Sequence, residues 1–152
     1  DNKILIYDDF LSSEECEEII KFTNNNNDFE NWKLKHVYDI PHDNNIMNYI
    51  KKIENEIQKT FNVELDWCQL VKWPQGSNQL PHLDVTVKNT LLTSICYLND
   101  DYLGGRTFFV DDIEIIPKVG RLIIFNGMFY RHGVSHVLGT RYTVDSWYRQ
   151  SK

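Results

Sequence analysis

The segment LPHLDVTV, residues 80–87, places His82 two positions before Asp84. In an extended chain the side chains of residues i and i+2 point to the same face, so an imidazole and a carboxylate would stand side by side. Both groups bind divalent metals, but a single His-x-Asp pair arises easily by chance and equally suits a hydrogen bond at the surface. The segment alone leaves a metal site and a surface pair open.

Three residues elsewhere in the chain favour the metal site. His132 lies in YRHGVSHV, Arg141 begins the apolar run RYTVDSWY, and Tyr97 lies in TSICYLND. Two imidazoles and one carboxylate can bind one face of Fe(II) and leave its other positions open for a co-substrate. An arginine and a phenol that face the interior of a barrel can hold the far carboxylate of a dicarboxylic acid.

Strand alternation predicts which of these side chains face the same way. The three predicted faces are formed by Leu91, Thr93, Ile95 and Tyr97, by His132, Val134 and His136, and by Arg141, Thr143, Asp145 and Trp147. If these faces point inward, Arg141 needs a partner, because an unpaired buried charge is costly. A bound carboxylate would supply that partner, and a self-neutralising pair between Arg141 and Asp145 is the alternative.

The elements that must position these residues change in type along the chain. We expect a short strand around Lys3–Tyr7 and then a helix that begins at a capping box formed by Ser12 and Glu15. A second helix is predicted in NNIMNYIKKIENEIQKTF, capped by one of its first two asparagines. After Phe61, short β-branched and aromatic runs separated by Gly, Pro, Asn and Asp predict an antiparallel sandwich or barrel.

The predicted fold class is therefore α+β and mainly β. The 152 residues are expected to form a single domain, with a helical N-terminal part at about 1–62 and a β core at about 63–150. The net charge of −6, with no run of Lys or Arg, disfavours nucleic acids and anionic membranes as partners. We expect a monomer.

Targeting signals and cysteines bear on location. No apolar run approaches transmembrane length, and no secretory signal is visible. The three cysteines, Cys16, Cys68 and Cys96, are scattered and form no C-x-x-C motif. This pattern predicts buried free thiols in a reducing, cytoplasmic compartment.

Six segments in a fixed order carry a resemblance to a known family. The segments are PHLD, TSICYLND, LGGRTFF, IIPKVGRLIIF, RHGV and GTRYTVDSWY. In this order they resemble the 2-oxoglutarate- and Fe(II)-dependent dioxygenases, and more narrowly the prolyl 4-hydroxylase branch with its hypoxia-sensing members. The likeness covers residues 65–149 and extends loosely to IYDDFLSSEECEEII near the N-terminus. It implies a double-stranded β-helix, a cupin-like jelly-roll barrel with N-terminal helices packed on one sheet.

The resemblance also implies roles for individual residues. His82, Asp84 and His132 would be the metal ligands and the catalytic centre. Arg141, nine residues after His132, would pair with the C5 carboxylate of 2-oxoglutarate, and Tyr97 would assist it. The remaining matched positions are Ile95, Thr107, Val134 and Thr143 in the co-substrate pocket wall and Trp147 beside a peptide substrate.

Three positions depart from the family pattern or compete with it. Trp73 stands where many members carry a tyrosine, and its indole can donate a hydrogen bond but not accept one. Asp145 places a carboxyl group where a smaller neutral side chain is common, so it would face substrate or brace Arg141. His136 is a rival metal ligand, but it lies only five residues before Arg141, too close for the family spacing.

The resemblance implies hydroxylation of a prolyl residue at the 4-position in a protein or peptide. Fe(II), 2-oxoglutarate and O2 would be consumed or bound, with ascorbate as a candidate reductant, and succinate and CO2 would be released. Asp84 favours hydroxylation, since halogenating relatives lack that carboxylate. Residues 31–43 would form a mobile loop over the substrate. Alternatives are a lysyl or other side-chain hydroxylase, a free-amino-acid hydroxylase, and a non-catalytic metal-binding β-barrel.

Overall fold

The computed structural model describes residues 4–84 and 90–152 of the 152-residue chain. Two helices and thirteen strands lie within this described part. The helices are α1 (Ser13–Asn24) and α2 (Met47–Gln58). The strands are β1 (Leu5–Tyr7), β2 (Glu30–Trp32), β3 (Lys35–Asp39), β4 (Val63–Trp73), β5 (Gln79–His82), β6 (Thr90–Tyr97), β7 (Leu103–Gly104), β8 (Thr107–Phe109), β9 (Ile113–Ile115), β10 (Leu122–Phe125), β11 (His132–Val134), β12 (Val137–Leu138) and β13 (Arg141–Gln150).

Two antiparallel sheets pack face to face. The larger has the strand order β1-β10-β6-β13-β4-β3-β2, the smaller has the order β5-β11-β8-β9, and β12 pairs with β7 apart from both. Ile95, Ile123 and Phe125 of the larger sheet pack on Phe109 and Ile115 of the smaller one. Side chains on the inner faces of both sheets therefore enclose the space in which a site can form, as the predicted jelly roll requires.

The helices pack on the outer face of the seven-stranded sheet. Ile19 of α1 and Ile53 of α2 are fully buried, and they share one apolar cluster with Leu70 of β4 and Val144 of β13. Because successive strand residues alternate between faces, the neighbours of these sheet residues point the other way, toward the smaller sheet. The helices thus fix the sheet from behind while its inner face stays available for function.

The two helices begin in different ways. At α1 the predicted capping box is confirmed: Ser12 Oγ accepts from the Glu15 amide at 3.1 Å, and Glu15 Oε1 accepts from the Ser12 amide at 2.9 Å. At α2 the predicted asparagine cap is wrong, because Ile46 occupies the N-cap without a side-chain hydrogen bond. Asn44 Oδ1 instead accepts from the Ile46 amide at 3.0 Å, which forms a turn ahead of Met47.

A β-bulge in the main sheet sets the faces of β4. Trp67 pairs with Trp147, whereas the next pair joins Leu65 with Tyr148, so Asp66 has no counterpart on β13. The extra residue reverses the phase of alternation. Leu65 therefore packs on the helical side, while Trp67 faces the space between the sheets.

The N-terminal part is less helical than the sequence analysis predicted. Residues 31–43 were expected to form a mobile loop, but residues 31–39 of this segment lie in the hairpin β2–β3, and β3 pairs with β4 along the main sheet. The reason is a short alternating pattern in which Lys35 and Val37 are buried and their neighbours are not. The assignment of residues 1–152 to a single domain stays a prediction.

The three cysteines are free and buried, as predicted. Burial raises the pKa of Cys16 to about 11 and that of Cys68 to about 12, and it also raises the pKa of Cys96. Among residues 4–84 and 90–152, no helix has both the length and the apolar character needed to cross a membrane.

Candidate metal and co-substrate site

His82, Asp84 and His132 converge at one end of the space between the sheets. Each offers one ligand atom, and these three atoms lie within 4.8 Å of one another. Pairing of β5 with β11 brings the two histidines together, since His132 and His82 are partners in the strand register. Asp84 Oδ1 lies 3.3 Å from Nε2 of His82 and 3.4 Å from Nε2 of His132. The arrangement has the size and donor types of a facial site for a divalent transition metal.

Both imidazoles are oriented by their own backbone. His82 Nδ1 lies 3.1 Å from the Leu80 carbonyl oxygen, and His132 Nδ1 lies 2.8 Å from the Tyr130 carbonyl oxygen. A carbonyl can only accept, so each Nδ1 carries the proton and each Nε2 presents a lone pair. The two lone pairs point to the place where Asp84 offers its oxygen, which is the tautomer that metal binding needs.

The Asp84 carboxylate is buried and held as an anion. Burial alone would raise its pKa, but the neighbouring His132 and His82 rings and the hydrogen bond from Thr93 outweigh burial and hold the pKa of Asp84 well below its usual range. Thr93 Oγ1 donates to Asp84 Oδ2 at 2.7 Å, which leaves Oδ1 free to face the two histidines. The Asp84 amide also donates to the Gly127 carbonyl at 2.9 Å, which fixes the chain directly after β5.

Gly127 makes room for this carboxylate. A Cβ added at Gly127 would overlap Asp84 Oδ2 and Thr93 Oγ1. Its role was not visible in the sequence, because the contact joins segments more than 30 residues apart.

Gly127→Ala is therefore expected to lower the affinity for Fe(II) by roughly 10- to 100-fold, the usual cost of disturbing groups that orient metal ligands. Equilibrium dialysis with Fe(II) under argon measures this. Gly76→Ala is the control. The Cβ that it adds would meet no other atom within 4 Å, but the φ of +85° at this position makes alanine strained. It should lower the melting temperature and leave the Fe(II) affinity unchanged, and an equal loss of affinity in both variants would contradict the role of Gly127.

Arg141 lies at the other end of the same space and is only 1% exposed. Its Nε donates to the Gly105 carbonyl at 3.0 Å and its Nη2 to Thr107 Oγ1 at 3.2 Å. Its guanidinium lies over the rings of Trp73, at 4.7 Å, and Tyr97, at 5.2 Å. Among the described residues no carboxylate forms an ion pair with Arg141, so the alternative of a self-neutralising pair with Asp145 is wrong. The Arg141 guanidinium is therefore available to pair with a bound anion.

A cavity of about 500 Å³ joins the histidine end to the arginine end. Ten of the predicted site residues line it: Trp73, His82, Asp84, Ile95, Thr107, His132, Val134, Arg141, Asp145 and Trp147. Tyr97 and Thr143 are fully buried behind this wall, where Tyr97 hydrogen-bonds Thr107. His136 lies beyond the end of β11 and is exposed, so the expectation that it shares an inward face with His132 is wrong.

The Trp73 indole fits a bound anion. Trp73 is 1% exposed and its Nε1 has no hydrogen-bond partner within the described part of the chain. A buried N–H without a partner is costly, so such a group is expected to meet a ligand. The departure from the family pattern thus replaces a phenol, which can donate and accept, with a group that can only donate, on a residue that lines the same cavity as Arg141.

Lys35 is a charged residue of the cavity that sequence analysis missed. It is 8% exposed, its Nζ donates to Gln79 Oε1 at 3.1 Å, and it lies between the rings of Trp32 and Trp73 at 4.8 and 4.5 Å. Burial lowers the pKa of Lys35 to about 8, against a partial opposing effect of Asp145. The signal for it was the alternation of Lys35, Val37 and Asp39, which predicts one inward strand face.

The lowered pKa of Lys35 has a measurable consequence. Below pH 8 the folded protein carries the buried charge at a cost, and above pH 8 the amine loses its proton and the cost is relieved. Between pH 7 and 10.5 the free energy of unfolding of the wild type should therefore rise by about 3 kcal/mol relative to Lys35→Met. Urea denaturation at both pH values measures this. Lys51→Met, on the exposed side of α2, should show no such pH-dependent difference.

Trp147 and Trp67 form a flat wall near the histidine end of the cavity, where Trp147 pairs with Thr93. Their rings stack with centroids 4.0 Å apart and planes 14° apart. Trp67 was not predicted, although it lies six residues before Trp73 on the same face of β4, after the bulge at Asp66. The stacked pair provides an apolar surface at which a substrate can lie.

Comparison with known proteins gives the family. A family model described as the 2OG-Fe(II) oxygenase superfamily matches residues 68–149, which is more than half of the chain. The chain belongs to this superfamily. It is a 2-oxoglutarate-dependent oxygenase domain of the Fe(II) class, and the superfamily's chemistry requires Fe(II), 2-oxoglutarate and O2.

A curated relative agrees with the family. The oxygenase is 34% identical to the Xenopus tropicalis "2-oxoglutarate and iron-dependent oxygenase domain-containing protein 3", over 61% of this chain and 36% of that protein. The chain thus spans about a third of the length of this curated relative.

Solved structures confirm the double-stranded β-helix. A Pseudomonas putida prolyl-4-hydroxylase matches with a TM-score of 0.81 and 17% identity over 99% of this oxygenase and 94% of that chain. The viral collagen prolyl hydroxylase of Paramecium bursaria Chlorella virus-1, in complex with 2OG, matches with a TM-score of 0.79 and 19% identity. The match covers 98% of this oxygenase and 96% of that chain. A Trichoplax adhaerens prolyl hydroxylase in complex with a hypoxia inducible factor peptide fragment matches with a TM-score of 0.80 and 19% identity. The match covers 98% of this oxygenase and 84% of that chain. These identities establish the fold alone.

Proposed function

We propose that this oxygenase binds Fe(II) through His82, Asp84 and His132, binds 2-oxoglutarate through Arg141, and hydroxylates a prolyl residue of a protein or peptide at the 4-position. The observation that carries the proposal is the pairing of two sites in one cavity. One end presents three convergent ligand atoms, and the other presents a buried guanidinium without a carboxylate partner among the described residues. A dicarboxylate that chelates the metal at one end and meets Arg141 at the other satisfies both.

Individual residues of the chain have separate roles in the proposed reaction. Fe(II) with 2-oxoglutarate and O2, when bound, supplies the oxidising power to hydroxylate an unactivated C–H and yields succinate and CO2. The backbone carbonyls of Leu80 and Tyr130 hold the two imidazoles in the ligating tautomer. Thr93 fixes the Asp84 carboxylate, and Arg141 orients the far carboxylate of the co-substrate.

Further donors support the 2-oxoglutarate site. The Trp73 N–H has no partner among the described residues, and Trp73 lines the cavity beside Arg141, so we propose that its indole donates to the co-substrate. Tyr97 lies under Arg141 and hydrogen-bonds Thr107, which in turn accepts from Arg141. Tyr97 therefore positions the clamp from behind the wall. Burial raises the pKa of Tyr97, so it acts as a neutral phenol.

A prolyl target fits the metal end of the cavity. A proline ring has a fixed φ and can present one C–H to the metal at low entropic cost. The stacked Trp147 and Trp67 offer the flat apolar wall on which such a ring packs. The solved structures of the same fold include prolyl hydroxylases, one of them in complex with a peptide.

A lysyl residue is the second candidate target. Asp145 lines the cavity and its Oδ1 has no partner in the described part of the chain, so the cavity offers a buried acceptor that a protonated amine could use. Ascorbate as reductant, a cytoplasmic location and a monomeric state stay predictions.

The test of the proposed reaction is product analysis. The oxygenase with Fe(II) and 2-oxoglutarate is incubated with peptides that contain proline or lysine, and fragment mass spectra locate any added oxygen atom. We expect oxygen on proline. Oxygen on lysine would replace the prolyl target by the second candidate, and succinate formed without stimulation by any peptide would favour a free amino acid.

A further inference from the structure

We propose that Asp145, with Asp39 two strands away in the same row of the sheet, forms a subsite that receives a cation of the substrate next to the metal centre. The inference rests on the proposed function and adds the charge of the substrate to it. The subsite selects a segment with a protonated amine or a guanidinium close to the hydroxylated carbon.

The Asp145 carboxylate is the first observation. It lies at the centre of β13, lines the cavity, is 8% exposed, and its Oδ1 has no hydrogen-bond partner among residues 4–84 and 90–152. Burial raises its pKa against the attraction of Arg141 and Lys35. One oxygen of this buried carboxyl group has no partner, and an unsatisfied buried polar atom is costly and is typical of a site that binds a ligand.

The strand register places a second carboxylate in the same row. Asp145 is the register partner of Gln69, and Gln69 is the register partner of Asp39. Gln69 Nε2 donates to Asp39 Oδ1 at 2.7 Å, so the amide holds Asp39 across the sheet from Asp145. On its other side Asp145 pairs with Ile95, whose strand carries Thr93, the partner of Asp84. The row therefore begins at Ile95, two residues from Thr93, and ends at the exposed Asp39.

The charge balance of the wall points to a cationic occupant. In the proposed function Asp84 is neutralised by the metal and Arg141 by 2-oxoglutarate. The charged groups that remain among the described lining residues are four carboxylates and one ammonium: Asp28, Glu30, Asp39, Asp145 and Lys35. The Lys35 ammonium donates to Gln79 and lies against two tryptophan rings, and no described ion pair joins it to Asp145. An occupant with positive charge balances this wall.

The cation has two chemical sources. It can belong to a basic side chain that flanks a target proline, or it can be the ammonium of a target lysine. Both would place positive charge between Asp145 and Asp39 while Trp147 and Trp67 contact the apolar part of the substrate. The test has one arm for each source.

The test is peptide binding by calorimetry to the protein loaded with Mn(II) and 2-oxoglutarate. The probes are four peptides of equal length: a central proline flanked by lysines, by alanines or by glutamates, and a central lysine flanked by alanines. We expect one of the two lysine-containing peptides to bind at least about tenfold more tightly than the alanine-flanked proline peptide. The tighter of the two identifies the source of the cation.

Asp145→Asn should remove most of that preference. Glu17→Gln, which deletes the same charge from the exposed side of α1, should keep it. The melting temperature of Asp145→Asn should not fall, because a neutral amide is less costly to bury than a carboxylate. A lower melting temperature would instead assign Asp145 a structural role and overturn the subsite.

The outcomes separate this subsite from the reaction. Equal binding of all four peptides, no binding of any, or a preference that survives Asp145→Asn would overturn the subsite. A preference that depends on Asp145 without oxygen on proline in the Fe(II) reaction would keep the subsite and refute the prolyl target. Oxygen on proline without any charge preference in peptide binding would support the prolyl target and overturn the subsite.

Discussion

Replacing His132 with alanine should abolish Fe(II) binding and nearly all turnover. The ligand atoms of His82, Asp84 and His132 lie within 4.8 Å of one another, and removal of one leaves two donors that hold the ion weakly and in the wrong position. Loss of a group that merely orients a ligand costs roughly 10- to 100-fold, so loss of the ligand itself should cost more. His82→Ala and Asp84→Ala should behave alike, as measured by Fe(II) dialysis under argon and by succinate formation.

His136→Ala is the matched control for these variants. It removes an imidazole from the same part of the chain, but His136 is exposed and lies outside the convergent group. We expect its Fe(II) affinity and turnover to stay within about twofold of wild type, as is usual for a surface substitution. If His136→Ala lost the metal while His132→Ala kept it, the ligand assignment would be wrong.

Replacing Arg141 with alanine should weaken 2-oxoglutarate binding by roughly 100-fold, since charge-assisted hydrogen bonds contribute about 1.5–3 kcal/mol. Arg141 is the buried cation at the end of the cavity opposite the proposed metal ligands, and no described carboxylate competes for it. Arg141→Lys should be intermediate, because an ammonium offers a point charge in place of a planar fork. Calorimetric titration of 2-oxoglutarate into the Mn(II)-loaded protein measures the affinities of the wild type and of both variants.

Two further variants test whether this effect is local. Tyr97→Phe removes the hydroxyl that bonds Thr107 behind the wall, so its effect on 2-oxoglutarate affinity should be about tenfold at most. Arg121→Ala removes an arginine that pairs with Asp8 away from the cavity and should leave the affinity unchanged. Unaltered binding in Arg141→Ala, or a comparable loss in Arg121→Ala, would contradict the carboxylate clamp.

Both ends of the site were predictable from sequence, for different reasons. His82 and Asp84 are near neighbours in the chain, so local alternation is enough to place them together. His132 and Arg141 were placed by the order and spacing of family segments, and the strand register then brought His132 opposite His82. The fold class followed from short strands after Phe61 and was confirmed by solved structures.

What the sequence did not show depends on contacts between distant segments. Gly127 contacts Asp84 and Thr93 across the fold, and no local pattern reveals such a close approach. Lys35 enters the cavity because β3 pairs with β4, a pairing hidden in a segment that resembled a loop. Alternation gives the face of a residue but not its depth, which is why Tyr97 lies behind the wall that it was expected to form.

The most direct test of the account is the visible absorption spectrum of the protein with Fe(II) and 2-oxoglutarate under anaerobic conditions. Chelation of Fe(II) by the keto acid gives a weak metal-to-ligand charge-transfer band, which neither component gives alone. We predict that the band forms with the wild type and is lost in His132→Ala, and that in Arg141→Ala it requires roughly 100-fold more 2-oxoglutarate. Absence of the band in the wild type, or its persistence in His132→Ala, would contradict a site built from these residues.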